Sequence, residues 1–134
     1  MKTTLLSRLL LCFSSLVLAL ATVVHAAAFN RALAAVGKSN LTPFFGTCLE
    51  SLWLADSTTC LLLSAIFGLI AARPSVATRS VVLLLALIPT ATAILIYTFL
   101  GPFFAGHVLL LAAVAAFVAG LRLPGAPPSA HKLT

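Results

Sequence analysis

Acidic side chains are almost absent from this chain of 134 residues, which contains only Glu50 and Asp56. Charged residues of both signs make up 7% of the sequence, whereas hydrophobic residues make up 62%. A soluble domain needs a charged surface over its core, and eight basic and two acidic side chains are too few to supply one. The composition therefore excludes an ordinary soluble domain and predicts a chain that faces lipid.

Missing patterns exclude several chemistries as well. The three cysteines, Cys12, Cys48 and Cys60, form no Cys-x-x-Cys pair, so we expect neither a zinc site nor a disulfide. The sequence contains no glycine-rich nucleotide-binding loop and no internal repeat. Despite a net charge of +6, the basic residues stand singly between apolar runs, which argues against a nucleic-acid interface.

Four long apolar segments are present, each long enough to cross the hydrocarbon core of a bilayer as a helix. We place them at about residues 5–28, 43–72, 80–100 and 103–121. Thr42 is a predicted N-cap, Pro89 interrupts the third segment, and Gly101-Pro102 turns the chain into the fourth. We predict an all-α fold: one integral membrane four-helix bundle over residues 1–123, with up-down topology. A disordered tail is predicted over 124–134.

The first segment also resembles a secretory signal, since it has a basic start, an apolar middle and small residues at its end. We expect a retained helix because the run is longer than a usual signal core; cleavage is the alternative. After it, residues 31–36 predict a short amphipathic turn that ends at Gly37.

The distribution of basic residues predicts the orientation of the chain. One set of flanks carries Lys2, Arg8, Arg73, Arg79, Arg122 and Lys132, whereas the other carries only Arg31 and Lys38. Because basic residues concentrate on the cytoplasmic side, we expect both termini in the cytoplasm. The style rich in alanine and leucine indicates a bacterial inner membrane.

With that topology, the unusual polar side chains gather at the outer ends of the helices. These candidate site residues are His25, Glu50, Asp56, Tyr97 and His107. Glu50 is expected in the interface, and Asp56 about one turn inside the apolar region, where a carboxylate is costly. The structural alternatives are that Glu50 pairs with Arg31 or Lys38, and that aromatic residues such as Trp53 belong to the interfacial belt.

Helical spacing places Glu50, Trp53 and Ser57 on one face, because they follow an i, i+3, i+7 pattern. Asp56 is six residues after Glu50 and therefore lies about 120° around the helix from it, on the face of Thr59 and Cys60. The two carboxylates are therefore not expected to form a close acid–base pair within one helix.

Small residues predict close helix packing. Ala112, Ala116 and Gly120 repeat every fourth position in the last segment, which permits close approach of a neighbouring backbone. We interpret this stripe as packing within the bundle; the alternative is a homo-oligomer or a membrane-protein partner that docks on it.

The stretch from Phe45 to Ser57, with Trp53 four residues before Ser57, and Gly106-His107 at the start of the last segment, carries a resemblance. It resembles small bacterial inner-membrane proteins with four helices. The resemblance implies the same fold and orientation, and it implies no activity.

Three functional hypotheses follow. The first is a non-enzymatic accessory or scaffold bundle that has membrane lipid as its surroundings. The second is a membrane enzyme, or a binder of lipid, quinone or haem, that uses Asp56, Glu50 and His107 from the outer leaflet. The third is a small oligomeric transporter, coupled to protons or cations, with Asp56 as the membrane carboxylate. A close approach of Asp56 to His107 would favour the second hypothesis.

Overall fold

The structure, a computed structural model, describes residues 5–123, and all regular elements within that range are helical. The helices are α1 (Leu5–Ala27), α2 (Phe29–Gly37), α3 (Pro43–Ala72), α4 (Arg79–Leu100) and α5 (Phe104–Arg122), with one 3₁₀ turn at Pro74–Val76. Each predicted apolar segment coincides with a helix, and each predicted end lies within one residue of a helix end. The predicted tail at 124–134 lies outside the described residues.

By length and composition, four helices are able to cross a membrane: α1 together with α2, α3, α4 and α5. The predicted amphipathic turn is a full helix of nine residues, α2, which starts after a single turn residue, Ala28. Thr42 occupies the N-cap position of α3, but its side chain makes no capping hydrogen bond. Thr78 does cap α4, because its side chain accepts a hydrogen bond from the backbone N–H of Val81.

Helix α1 lies at the centre of the packing, since it contacts α3 on one side and α5 on the other, while α4 packs on α5. The α1–α3 contacts run in opposite directions along the two helices: Arg8 bonds to Ala71, and His25 bonds to Ser57. The α4–α5 contacts do the same, since Gly120 lies against Leu83 and Gly106 against Tyr97. Both pairs are therefore antiparallel.

Much of the interior is built from small side chains, and most of the large apolar side chains point outward, although a few, such as Phe67, Leu11 and Leu18, are buried. Helix α5 illustrates this arrangement, because Ala112, Ala116 and Ala119 are fully buried whereas Leu111 and Leu121 are more than half exposed. In water this distribution would be unfavourable, because large apolar side chains gain most from burial. In lipid it is favourable, because small residues let helix backbones approach and large ones contact acyl chains.

Serine side chains connect the central helices. The Ser14 hydroxyl donates to the Ala112 carbonyl at 2.9 Å and so links α1 to α5. Ser15 and Ser64 each donate to the other's carbonyl, at 2.7 and 2.8 Å, and so link α1 to α3. Among the described residues, no buried side-chain nitrogen or oxygen lacks a hydrogen-bond partner. This pairing is what a low-dielectric surrounding requires.

The small-residue stripe of Ala112, Ala116 and Gly120 is buried inside the chain. Ala112 lies against α1 through Ser14, and Gly120 lies against α4, where a Cβ atom would come within 2.9 Å of Leu83. A partner helix would reach this stripe only if α1 or α4 moved away. The interpretation as internal packing accounts for all three positions.

Candidate functional site

His25, near the end of α1, forms the most elaborate polar contact in the structure. Its ring stacks on the indole of Trp53 from α3, with centroids 4.2 Å apart and an interplanar angle of 11°. The indole Nε1–H donates to the backbone carbonyl of His25 at 2.9 Å. Trp53 therefore holds both the ring and the backbone of one residue, which joins the end of α1 to α3.

Ser57, one turn further along α3, holds the Nδ1 atom of His25 at 2.8 Å. The Ser57 hydroxyl also lies 3.2 Å from the carbonyl of Trp53. A hydroxyl has a single proton, and the tautomer of His25 decides its use: with Nδ1–H, Ser57 accepts from His25 and donates to the Trp53 carbonyl, and with Nε2–H, Ser57 donates to Nδ1.

Asp56 faces the other nitrogen of the same ring. Its Oδ2 atom lies 3.7 Å from Nε2 of His25, and both side chains are partly exposed, at 41% and 29%. The pair is ionic when both nitrogens of the imidazole are protonated, so that the ring is a cation. The ring of His25 thus reaches two adjacent residues of α3, Asp56 and Ser57, although the helix turns them toward different faces. We call His25, Trp53, Asp56 and Ser57 the α1–α3 clamp.

Tyr97 and His107 form a second, separate pair between α4 and α5. Their rings meet edge to face with centroids 5.4 Å apart and an interplanar angle of 89°. The Nδ1 atom of His107 lies 3.0 Å from the carbonyl of Phe103, and the side chain is exposed. Within the described residues, no hydrogen bond, ion pair or ring contact joins this pair to the α1–α3 clamp. Asp56 is paired with His25 and has no such contact with His107.

Glu50 lies in a third place, beside a groove between α2 and α3. The groove has a volume of about 290 Å³, and its walls are almost entirely apolar. It is lined by Phe29, Ala32, Leu33, Ala35, Val36, Leu49, Glu50 and Trp53.

The expected ion pair of Glu50 with Arg31 or Lys38 is not formed, since the single ion pair among residues 5–123 joins His25 and Asp56. The physical reason is the orientation of α2. The residues of α2 that line the groove beside Glu50 are apolar, whereas Arg31 of α2 and Lys38, which follows it, are exposed and do not line the groove.

The candidate residues therefore fall into three groups at one end of the antiparallel pairs, and each group involves a different pair of helices. In the described part of the chain, no three histidine, cysteine or acidic side chains come together in a way that could hold a metal ion. The three cysteines are free thiols.

The sequence predicts Trp53 as a belt residue and Ser57 as a neighbour on one helix face, whereas in the structure both contact His25 of α1. Their spacing, i and i+4 on α3, was the signal that both could contact one side chain of another helix. Ser14, Ser15 and Ser64 were overlooked. Hydroxyls inside otherwise apolar helices are themselves a signal, because a bilayer offers them few partners other than a neighbouring helix.

The fold and the distribution of side chains define the class: an all-helical protein with four helices long and apolar enough to span a membrane. No family model, curated protein or solved structure matches the chain. The functional argument therefore depends on the contacts themselves.

Proposed function

We propose that this chain is a multi-pass protein of the bacterial inner membrane, a four-helix bundle with up-down topology and both termini in the cytoplasm. The antiparallel α1–α3 and α4–α5 pairs support this topology. Basic residues support the orientation, because Arg8, Arg73, Arg79 and Arg122 lie at the helix ends opposite those that carry His25 and His107. The two acidic residues belong to the other, outer end.

Its proposed role is that of a non-enzymatic accessory or scaffold bundle. The observation that carries this proposal is the α1–α3 clamp, in which the most unusual polar side chains of the sequence contact each other across two helices. Both ring nitrogens of His25 face protein groups, and the Ser57 hydroxyl lies within hydrogen-bond distance of both His25 Nδ1 and the Trp53 carbonyl. Groups used in this way stabilise a bundle and leave little free chemistry for a substrate.

The same geometry argues against two of the alternatives. Haem ligation by His25 would require a free ring nitrogen, and both of its nitrogens face α3. A transporter that uses Asp56 would have to separate this carboxylate from His25 in each cycle. Among the described residues, no other contact supports haem ligation by His25 or transport through Asp56.

A second candidate function is favoured by the α2–α3 groove. Its apolar walls and single carboxylate suit a hydrophobic ligand, such as a quinone or a lipid, whose polar end reaches Glu50. Its volume of about 290 Å³ lies at the lower limit of typical ligand sites, which are roughly 300–1,000 Å³. In this function Glu50, and not Asp56 or His107, would contact the ligand.

A single preparation tests both candidates. The protein is purified in mild detergent, and its absorbance spectrum, its intact mass and the mass of extracted small molecules are recorded. For the scaffold we expect no stoichiometric chromophore or quinone, and an intact mass that includes α1. We expect α1 to be retained because two of the three major helix interfaces involve it.

The variant Glu50→Gln and the control Glu50→Asp separate the outcomes. A hydrophobic molecule that copurifies with wild type and Glu50→Asp, but not with Glu50→Gln, would replace the scaffold role by the groove-binding role. A mass that lacks α1 would contradict the four-helix arrangement itself.

A further inference from the structure

The end of the molecule opposite the α1–α3 clamp carries an unbalanced cluster of arginines. Residues 73–78 join α3 to α4, so the end of α3 and the start of α4 lie at the same end of the fold. The antiparallel partners of these helices bring Arg8 of α1 and Arg122 of α5 to that end as well. Arg73 and Arg79 flank the connecting segment. All four side chains are exposed.

None of these four arginines forms an ion pair with a carboxylate in the described chain. Arg8 uses its Nε–H to donate to the carbonyl of Ala71 at 2.9 Å, near the end of α3. A guanidinium has five N–H donors, so Arg8 retains four others. The result is a positively charged end with many donors and no acidic side chain of its own.

The basic residues of this cluster are of one type, although either arginine or lysine would be enough to orient the helices in a membrane. Lysine and arginine serve equally to orient a membrane helix, yet each described basic residue at this end is arginine. The planar guanidinium binds two phosphate oxygens at once, whereas lysine acts as a point charge. Exposed apolar side chains lie at the same end of the helices, among them Leu5, Leu9, Leu69, Val76 and Leu121.

We propose that this arginine end, formed by Arg8, Arg73, Arg79 and Arg122, is a binding site for anionic phospholipid. The phosphate of the headgroup pairs with the guanidinium groups, and the acyl chains lie along the exposed leucines. Basic surfaces at the cytoplasmic ends of membrane helices attract anionic headgroups in this way. The inference rests on the proposed insertion of the bundle in a membrane.

Lipid retention in native mass spectrometry tests the proposal. Detergent-purified protein is titrated with phosphatidylglycerol and with phosphatidylcholine that carries the same acyl chains, so that only the headgroup charge differs. We expect preferential retention of phosphatidylglycerol. The triple variant Arg73→Gln, Arg79→Gln, Arg122→Gln should bind it on the order of a hundredfold more weakly, given the typical contribution of each basic residue near anionic lipid. Arg8 is left intact because it also caps α3.

Two matched variants make the test specific. The triple variant with lysine at the same three positions keeps the charge and should lose less affinity than the glutamine variant. It should still bind phosphatidylglycerol more weakly than wild type, because lysine cannot form the bidentate pair. The control Arg31→Gln, Lys38→Gln removes two charges from the opposite end and should retain phosphatidylglycerol as wild type does. Far-UV circular dichroism verifies that each variant is folded. If the triple variant does not fold, Arg79→Gln and Arg122→Gln are titrated singly, each with an expected loss of about fivefold.

Several outcomes would overturn the proposal. Equal retention of the two lipids would show that headgroup charge is not recognised. An equal loss in the Arg31, Lys38 control would show that net charge alone matters. Displacement of phosphatidylglycerol by an equal concentration of inorganic phosphate would indicate a site for a soluble anion. Failure to retain either lipid would also overturn the site, whereas the proposed membrane insertion is tested separately, by whether the protein is recovered in the membrane fraction of cells.

Discussion

At the scale of single residues, Trp53 joins α3 to α1 in two ways, because it contacts His25 through both its ring and its Nε1–H. Tyr97 also meets a histidine ring, but its hydroxyl makes no hydrogen bond within the described residues. These two aromatic residues were expected to play the same interfacial role. Their contacts show different roles, because only Trp53 makes an interhelix hydrogen bond with its side chain.

The variant Trp53→Phe should therefore destabilise the protein by about 1–2 kcal/mol, because it removes an interhelix hydrogen bond and part of the stacked surface. Tyr97→Phe is the matched control and should change the free energy of unfolding by less than about 0.5 kcal/mol. Unfolding in detergent, followed by far-UV circular dichroism, measures both. Equal losses in the two variants would contradict the clamp.

At the scale of elements, α5 fits between α1 and α4 because its buried face carries only small residues at the points of closest approach. Gly120 is the tightest of these positions, since a Cβ atom there would lie 2.9 Å from Leu83 and 3.2 Å from Val82. Val114 lies on the exposed face of the same helix. Gly120 and Val114 therefore lie on the same helix, but only Gly120 is packed against α4.

Gly120→Leu should destabilise the bundle by about 1–3 kcal/mol, because the added atoms overpack the α4–α5 contact. Val114→Leu places the same leucine side chain at an exposed position of the same helix, where it adds one methylene group, and should have an effect within about 0.5 kcal/mol. The same unfolding measurement in detergent compares them. A neutral Gly120→Leu would mean that α4 and α5 are not in close contact.

At the scale of the whole molecule, the central position of α1 and the separation of charge between the two ends define the proposed orientation. A variant without its native cysteines can carry one new cysteine in each exposed connection, as Asn40→Cys or Ser75→Cys. A membrane-impermeant maleimide added to intact cells should label Asn40→Cys, and should label Ser75→Cys only after permeabilisation. Labelling of Ser75→Cys in intact cells would invert the topology.

Much of the fold follows from the sequence because its apolar segments are long and its turns are marked by Pro43, Pro74 and Gly101. Hydrophobic length alone predicts where a helix crosses a bilayer. The candidate site was predicted only in part. His25 and Asp56 were both proposed, but their pairing was not, since the sequence does not tell which helix lies beside which.

The sequence by itself determined the all-helical class of the protein, the approximate bounds of the four long helices and the end of each helix at which its polar residues stand. Only the tertiary structure decided that His25 contacts Trp53, Asp56 and Ser57 and that Tyr97 contacts His107. The physical reason is that periodicity and length are local properties of one segment. Contacts between segments depend on which small residues let two particular backbones approach, and α1 has such an approach on both of its sides.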